Sequence, residues 1–222
     1  MRMYGLEKLG IANVLAVHYN LSPAELTEKA LANGEGKLND TGALVIETGK
    51  YTGRAPDDKF FVDTPSVHKY IDWSRNKPIE SEKFDAILGK LIAYLQKKEI
   101  YVFDGKAGAN PKYTRRFRFI NEMPSQTLFI HQLLIRTDEE YNENNKIDFT
   151  VISAPNFHCV PEIDGVNSEA AIIINFEKKM AIICGTRYSG EMKKSVFSIM
   201  NYIMPHENIL PMHCSANMDP LT

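Results

Sequence analysis

The sequence predicts an α/β protein with a mixed β-sheet flanked by helices. Short apolar runs typical of strands alternate with longer amphipathic segments typical of helices along the chain. Two of these runs, AIIIN and MAIIC, are joined by FEKK, which predicts an antiparallel hairpin turned near residues 177–179. Because a hairpin occurs beside helix-separated strands, the sheet is expected to be mixed and not strictly parallel.

The first helix of the chain is expected among several strands. The stretch SPAELTEKALANG has Ser22 as N-cap, Pro23 in the first turn, Glu25 completing a capping box and Gly34 past the end. The strands expected here cover residues 14–20, 43–49, 59–64 and 100–105.

The other expected helices and strands continue the same alternation. Ser81 is expected to cap a helix that runs to about Lys98 and buries Phe84, Ile87, Leu88, Leu91 and Leu95 on one face. Further helices are expected from Pro124 to about residue 135 and from about residue 191 to 203, where Pro205 stops the second. The remaining expected strands cover residues 115–120, 148–155 and 208–214, and the charged stretch 137–146 is expected to be a surface loop.

Bulk composition narrows the class of protein. The chain has 222 residues, 44% of them hydrophobic, and a net charge of −2, which does not favour nucleic acid or an anionic membrane as partner. No apolar run approaches the roughly 20 residues that span a bilayer, and the first residues lack the apolar region of a signal peptide. Three widely spaced cysteines indicate neither a disulfide framework nor a zinc knuckle, so the cytoplasm is the expected compartment.

The stretch GTRYSGEMKKSVF places two lysines in the opening turns of a helix. Gly185 and Gly190 have the spacing of a phosphate loop, but Glu191 follows where such a loop needs lysine, so a Walker site is not expected here. A cation at a helix N-terminus is disfavoured by roughly 0.3–1 kcal/mol. Either Lys193 and Lys194 are simply solvated, or the dipole and their mutual repulsion lower a lysine pKa so that a neutral amine binds a metal or exchanges a proton.

Two further stretches carry candidate site residues. In TGKYTGRAPDDKF, Arg54 projects from a tight loop and presents a planar fork that suits a carboxylate or phosphate. The alternative is an ordinary surface arginine, with Asp57 and Asp58 pairing with Arg54 or Lys59. In MHCSAN, His213 ends an expected strand, where a ligand-facing group is common in α/β proteins.

A cysteine-dependent hydrolase is a weaker alternative, with Cys214 or Cys159 as nucleophile. Each of these cysteines follows a histidine directly in sequence, at His213 and His158. Adjacent residues of a strand point to opposite faces, so neither neighbouring pair is able to act together.

Taken together, the motifs resemble a known enzyme family. YTGRAPDDK, IYVFDGKAGANPKY, GTRYSGEMKK and MHCSAN occur in the order and approximate spacing of ATP-dependent phosphoenolpyruvate carboxykinase, and DWSRNKPIESEKF is similar to its tryptophan-containing stretch. Eighteen residues separate Lys194 from His213, a combination specific to this family. The sequence resembles the ATP class and not the GTP class, whose loop before the lysine pair differs.

The resemblance implies an activity and roles for individual residues. The family is a carboxy-lyase of gluconeogenesis that converts oxaloacetate and ATP to phosphoenolpyruvate, ADP and CO2, with Mg-ATP and a second divalent ion, typically Mn2+. By resemblance, Arg54 holds the substrate carboxylate and the departing CO2, and Tyr188 contacts the same groups. Lys194, as a neutral amine, and His213 are the implied manganese ligands, while Lys193 lies beside the phosphates or substrate as a supporting cation.

The resemblance also implies a domain organisation. Residues 1–222 correspond to the N-terminal oxaloacetate/phosphoenolpyruvate-binding domain. The C-terminal nucleotide domain of the family carries a G-x-x-x-x-G-K-T loop, an acidic metal ligand and an arginine facing the γ-phosphate, none of which is in this sequence. The chain by itself is therefore expected to be inactive. The alternative is a stand-alone, non-catalytic module that binds a dicarboxylate through Arg54 without manganese.

Overall fold

The fold is built on one large sheet and one small hairpin. A computed structural model describes residues 2–137, 141–215 and 217–219. Within these residues the strands are β1 (Ala16–Tyr19), β2 (Gly36–Leu38), β3 (Leu44–Ile46), β4 (Lys59–Val62), β5 (Lys77–Ile79), β6 (Glu99–Ala107), β7 (Arg115–Asn121), β8 (Ile135–Arg136), β9 (Phe149–Ala154), β10 (Ala171–Asn175) and β11 (Met180–Cys184). Strands β2, β5 and β8 were not predicted from the sequence, because runs of two or three residues carry too little periodicity to be recognised.

The large sheet is mixed, as the sequence predicted. Its nine strands follow the order β1-β6-β7-β9-β11-β10-β4-β5, with β8 paired to β6, while β2 and β3 form the separate hairpin. Strands β10 and β11 pair antiparallel, which confirms the hairpin expected at FEKK. On the outer sides of this hairpin, β4 pairs parallel with β10, and β9 pairs parallel with β11.

Both faces of the sheet are covered, and this explains the continuous apolar runs. In β10, Ile173 belongs to the core on one face, whereas Ile172 and Ile174 belong to the core on the other. Successive side chains of a strand point to opposite faces, so a strand buried on both sides needs apolar residues at every position. Burying each isoleucine side chain stabilises the folded state by roughly 1.5–3 kcal/mol relative to leaving it exposed.

The helices flank this sheet. They are α1 (Pro23–Ala32), α2 (Ser81–Leu95), α3 (Pro124–Leu133), α4 (Pro161–Asp164) and α5 (Gly190–His206), together with short 3-10 turns at Leu6–Leu9, Pro56–Asp58 and His68–Tyr70. Helix α2 buries Phe84, Ile87, Leu91 and Leu95 in the first core. Helix α5 buries Met192, Val196 and Ile199 in the second. In both helices the buried residues follow helical spacing, so they form one side of the helix that packs against the sheet.

Helix boundaries were partly predicted. The capping box of α1 is present, with Ser22 and Glu25 exchanging hydrogen bonds. The expectation for α2 was wrong at both ends. Glu80 has the extended backbone of the N-cap residue, so Ser81 is already helical, and the helix stops at Leu95 because Gln96 is extended and Lys97 has a φ of 59°.

Corrections are also needed near the C-terminal end of the described chain. Helix α5 continues one residue beyond Pro205, which lies in its last turn, so the missing N–H costs one hydrogen bond and the helix ends at His206. The strand expected at 208–214 is wrong. The described part of this segment is irregular chain after α5 and pairs with no strand. The loop expected at 137–146 lies partly outside the described residues, since 138–140 are not among them.

No helix in the described ranges combines the length and apolar character needed to cross a bilayer.

The turn after β11 offers a stability test. Gly185 has a φ of +70°, and a Cβ there would lie 2.4 Å from the Glu169 carbonyl oxygen. Gly185→Ala is therefore expected to lower the free energy of unfolding by about 2–4 kcal/mol, from backbone strain and steric conflict. Urea denaturation of the chain, followed by circular dichroism, measures this change.

The matched control is Gly89→Ala in α2. Gly89 is exposed, and a Cβ there would meet nothing within 4 Å. This substitution is expected to raise stability by roughly 0.5–1 kcal/mol. Equal stability of the two alanine variants would contradict the role assigned to the Gly185 turn.

Candidate functional site

One pocket collects charged side chains from segments distant in sequence. It has a volume of about 400 Å³ and lies between the loop before β4, the start of β5 and the first turns of α5. Five of its lining side chains are cationic and two are acidic, so the pocket carries net positive charge: Arg54, Lys59, Arg75, Lys77 and Lys194, with Asp57 and Glu191. A pocket of this character suits an anionic ligand.

Arg54 reaches this pocket from an irregular segment, residues 51–55, called here the arginine loop. Its side chain is exposed, and within the described residues it makes no ion pair or hydrogen bond. Asp57 instead pairs with Lys77, whose Nζ lies 3.2 Å from the carboxylate. The alternative in which Asp57 neutralises Arg54 is therefore wrong, and the guanidinium fork is free to meet a ligand.

Lys194 lines the same pocket from the second turn of α5. Its Nζ lies 5.0 Å from the centroid of the Phe197 ring. Partial burial, followed by the charges of Lys193 and Arg54, lowers the pKa of the Lys194 ammonium below its usual value, and Glu191 opposes this shift. The structure thus brings Arg54 and Lys194 together in one pocket. Repulsion from Lys193 lowers the pKa of Lys194, as the sequence predicted.

Lys59 is a pocket residue that the sequence reasoning missed. Its Nζ donates to Ser198 Oγ at 2.5 Å and lies 5.4 Å from the Phe61 ring. Burial, aided by Lys194 and Arg54 and opposed by Glu191, lowers the pKa of Lys59 to about 8. A signal was present in the sequence, because alternation along the strand KFFV places Lys59 on the same face as the buried Phe61.

Glu191 is the second missed residue. It is 3% exposed, and its Oε1 accepts a hydrogen bond from the Ala55 N–H at 2.7 Å. In the sequence, the position of Glu191 after Gly190 indicates only that a Walker site is absent from this stretch. Because the two residues are 136 positions apart, local patterns gave no sign of this contact.

The other expected site residues lie at different places. Tyr188 is half-buried and lines a neighbouring pocket of about 530 Å³ beside Thr48, Leu128 and Phe129, not the pocket of Arg54. Its ring covers Gly190, where a Cβ would lie 2.4 Å from Tyr188 Cε1. Lys193 is exposed and is not among the residues that line the Arg54 pocket, as expected for a position next to Lys194 on a helix.

His213 follows α5 on an irregular, exposed segment. Its ring centroid lies 5.0 Å from that of Phe197, the same ring that Lys194 Nζ approaches. Lys194 and His213 therefore both lie beside the Phe197 ring, and their role as manganese ligands stays a prediction. Within residues 2–137, 141–215 and 217–219, no group of three or more His, Cys, Asp or Glu side chains is placed to hold a metal ion.

The cysteines do not favour the hydrolase alternative. Cys159 and Cys184 are buried, and Cys214 is exposed. Contact with Cys159 and burial raise the pKa of the Cys184 thiol well above its usual value. His158 lies 3.9 Å from a Glu169 carboxylate oxygen. Cys159 is 4% exposed and belongs to the apolar core, where a thiol packs as a small apolar side chain, so Cys159 is not placed as a nucleophile.

Comparison with known proteins identifies the family. A family model described as phosphoenolpyruvate carboxykinase, of the ATP type, matches residues 15–222. The chain is 86% identical over 99% of its length to phosphoenolpyruvate carboxykinase (ATP) of Fusobacterium nucleatum subsp. nucleatum, and covers 42% of that protein. It is 50% identical over 98% of its length to phosphoenolpyruvate carboxykinase (ATP) 2 of Moorella thermoacetica, and covers 41% of that protein.

The chain therefore spans less than half the length of the curated relatives that it matches, as its resemblance to one domain predicted. The match covers the arginine loop, the lysine pair of α5 and His213. The chain belongs to the ATP-type phosphoenolpyruvate carboxykinase family.

Proposed function

We propose that this chain is the N-terminal, oxaloacetate- and phosphoenolpyruvate-binding domain of an ATP-dependent phosphoenolpyruvate carboxykinase. The observation that carries the proposal is the single cationic pocket that contains both Arg54 and Lys194. The relatives named above add support, because they share these segments and are themselves called phosphoenolpyruvate carboxykinase (ATP).

The proposed reaction has two steps, decarboxylation of oxaloacetate and transfer of the γ-phosphoryl group of ATP to the resulting enolate. The bond between C3 of oxaloacetate and its carboxylate breaks, CO2 leaves, and the electron pair forms an enolate. The enolate oxygen then forms a bond to the γ-phosphorus of ATP as the bond to ADP breaks. Negative charge builds up on the enolate oxygen and on the transferred phosphoryl group, so a fixed cationic surface stabilises the transition state.

The residues of this chain supply that surface and orient the substrate. Arg54 binds a substrate carboxylate through its unpaired guanidinium, and the ammonium of Lys59 adds positive charge from the pocket wall. Tyr188 is assigned to the departing CO2 and Lys193 to the phosphates by resemblance alone. Tyr188 lines the neighbouring pocket and Lys193 is exposed in this structure, so both roles stay predictions.

The implied metal is assigned by the chemistry of its donors. Lys194, with its lowered pKa, and His213 are the side chains of this chain that would hold Mn2+. When bound, the ion supplies positive charge next to the enolate and the γ-phosphoryl group. Mg-ATP and the C-terminal domain that cradles it belong to the same proposal, as does a cytoplasmic location.

The direct test uses the full gene product that contains this chain. It is expected to form phosphoenolpyruvate from oxaloacetate only when ATP and a divalent ion are both present. Dicarboxylate binding without turnover, and without a manganese requirement, would instead favour the non-catalytic module.

Residues 1–222 alone are expected to form no phosphoenolpyruvate. The nucleotide phosphates have no glycine-rich cradle in this sequence, and Lys194 and His213 provide only part of a metal shell. A coupled assay with Mn2+, ATP and oxaloacetate checks this, with the full gene product as positive control. Product formation by the isolated chain would show that the nucleotide domain is dispensable.

A further inference from the structure

We infer that Glu191 is a positioning residue whose buried carboxylate fastens the arginine loop to the first turn of α5 and thereby sets the placement of Arg54 relative to Lys194. This inference rests on the proposed function, because it concerns the same pocket. It assigns no contact between Glu191 and the substrate.

The first supporting observation is the burial of a carboxylate. Glu191 is 3% exposed, and a carboxylate removed from water is costly unless it is hydrogen-bonded and faces positive charge. Three features compensate for this burial. They are the Ala55 N–H at 2.7 Å, the N-terminal end of α5, and the ammonium group of Lys59, whose charge interacts with Glu191.

The second observation is how the arginine loop is held. Residues 51–55 form no helix or strand. The Ala55 N–H, one residue after Arg54, donates to Glu191, while the Ala55 carbonyl begins the next turn by accepting from Asp58 N. At the other end, the Tyr51 hydroxyl contacts Ser168. Ala55 also packs against the core to which α5 contributes, and the Glu191 bond is the described hydrogen bond that joins the loop to this helix.

The third observation is the position of Glu191 relative to both functional cations. On α5 it precedes Lys194 by three residues, so one helical turn connects the carboxylate to the lysine. Across the bond to Ala55, the next residue is Arg54. A rigid connection of this kind matters because misplacing a binding group by about 1 Å can cost roughly 100-fold in rate.

Two conservative variants separate positioning from a purely electrostatic role. Glu191→Gln keeps the reach and the acceptor oxygen but removes the charge. Glu191→Asp keeps the charge but shortens the side chain by one methylene, so the bond to Ala55 is lost. If Glu191 acts by positioning, Glu191→Gln should keep loop exchange and the KM for oxaloacetate close to wild type, and Glu191→Asp should raise both. An electrostatic role predicts the reverse.

The first readout does not depend on activity. Hydrogen–deuterium exchange of the full gene product, followed by mass spectrometry, reports on peptides that cover residues 50–58. Glu191→Asp and Glu191→Ala are expected to raise exchange there about tenfold, with peptides from β10 and β11 unchanged, whereas Glu191→Gln stays within twofold of wild type. Unchanged loop exchange in Glu191→Asp would overturn the inference, as would a rise spread over the whole chain.

The second readout is steady-state kinetics. Glu191→Asp is expected to raise the KM for oxaloacetate about tenfold and to leave the KM for ATP within twofold, because only the Arg54 side of the site is released. Equal changes in both KM values would overturn the inference. If the wild-type gene product has no carboxykinase activity, the proposed function fails, and the exchange experiment still decides whether Glu191 holds the loop.

Glu35→Ala is the matched control. Glu35 is also a buried carboxylate, 7% exposed, and its Oε2 accepts from the Ser125 N–H in the first turn of α3 at 3.0 Å, outside the Arg54 pocket. It should lower the urea midpoint but leave both the KM for oxaloacetate and the loop exchange unchanged. If Glu35→Ala changed the KM for oxaloacetate and the loop exchange as much as Glu191→Asp does, the effect of Glu191 would be one of general stability and not of positioning.

Discussion

Replacing Lys194 by methionine in the full gene product is expected to lower manganese-dependent turnover by about 1000-fold, equivalent to about 4 kcal/mol of transition-state stabilisation. Methionine has a similar length and an apolar stem, so the packing beside Phe197 is retained. The nitrogen proposed as a manganese ligand is removed, and with it the positive charge of the ion that it would hold beside Arg54. Turnover with oxaloacetate, ATP and Mn2+ measures the effect, with circular dichroism to verify the fold.

Lys193→Met provides the comparison within the same helix turn. Lys193 is exposed and is not among the residues lining the pocket, so its loss is expected to lower turnover by less than about tenfold, as for a supporting charge near the surface. If both variants lose activity equally, Lys194 has no special position. Full activity of Lys194→Met would contradict the assignment of Lys194 as a metal ligand.

Replacing Arg54 by lysine is expected to raise the KM for oxaloacetate by about 10–100-fold, because lysine keeps the charge but loses the two-point fork that matches a carboxylate. The Arg54 side chain makes no ion pair within the described residues, so little is lost within the chain itself. The KM for ATP should stay within about threefold, since Arg54 is assigned to the dicarboxylate.

Arg75→Lys is the corresponding control at the rim of the same pocket. The Arg75 side chain is 85% exposed and already lies 3.7 Å from the Asp72 carboxylate. The same substitution there is expected to change the KM for oxaloacetate by less than about threefold. A larger effect at Arg75 than at Arg54 would mean that the substrate carboxylate binds elsewhere in the pocket.

Much of the fold was predictable because its signals are local. The capping box of α1 needs only Ser22 and Glu25, which are three residues apart. The apolar runs of β10 and β11 and the intervening polar turn predicted the hairpin correctly. The failure at 208–214 has a physical explanation as well, because a strand requires hydrogen bonds to a neighbouring strand, and an apolar run does not reveal whether the folded chain lies beside one.

By itself, the sequence determined the fold class, the family, and the identity of Arg54, Lys194 and His213 as candidate site residues, since each depends on short motifs and their spacing. Only the tertiary structure decided which of these residues share a pocket. In the structure, Arg54 and Lys194 line the same pocket, and Tyr188 lines a neighbouring one. Lys59 and Glu191 also line the pocket of Arg54. The physical reason is that the site is assembled by contacts such as Glu191 with Ala55, across 136 positions, and burial and charge at such contacts exist only after the sheet and α5 have packed together.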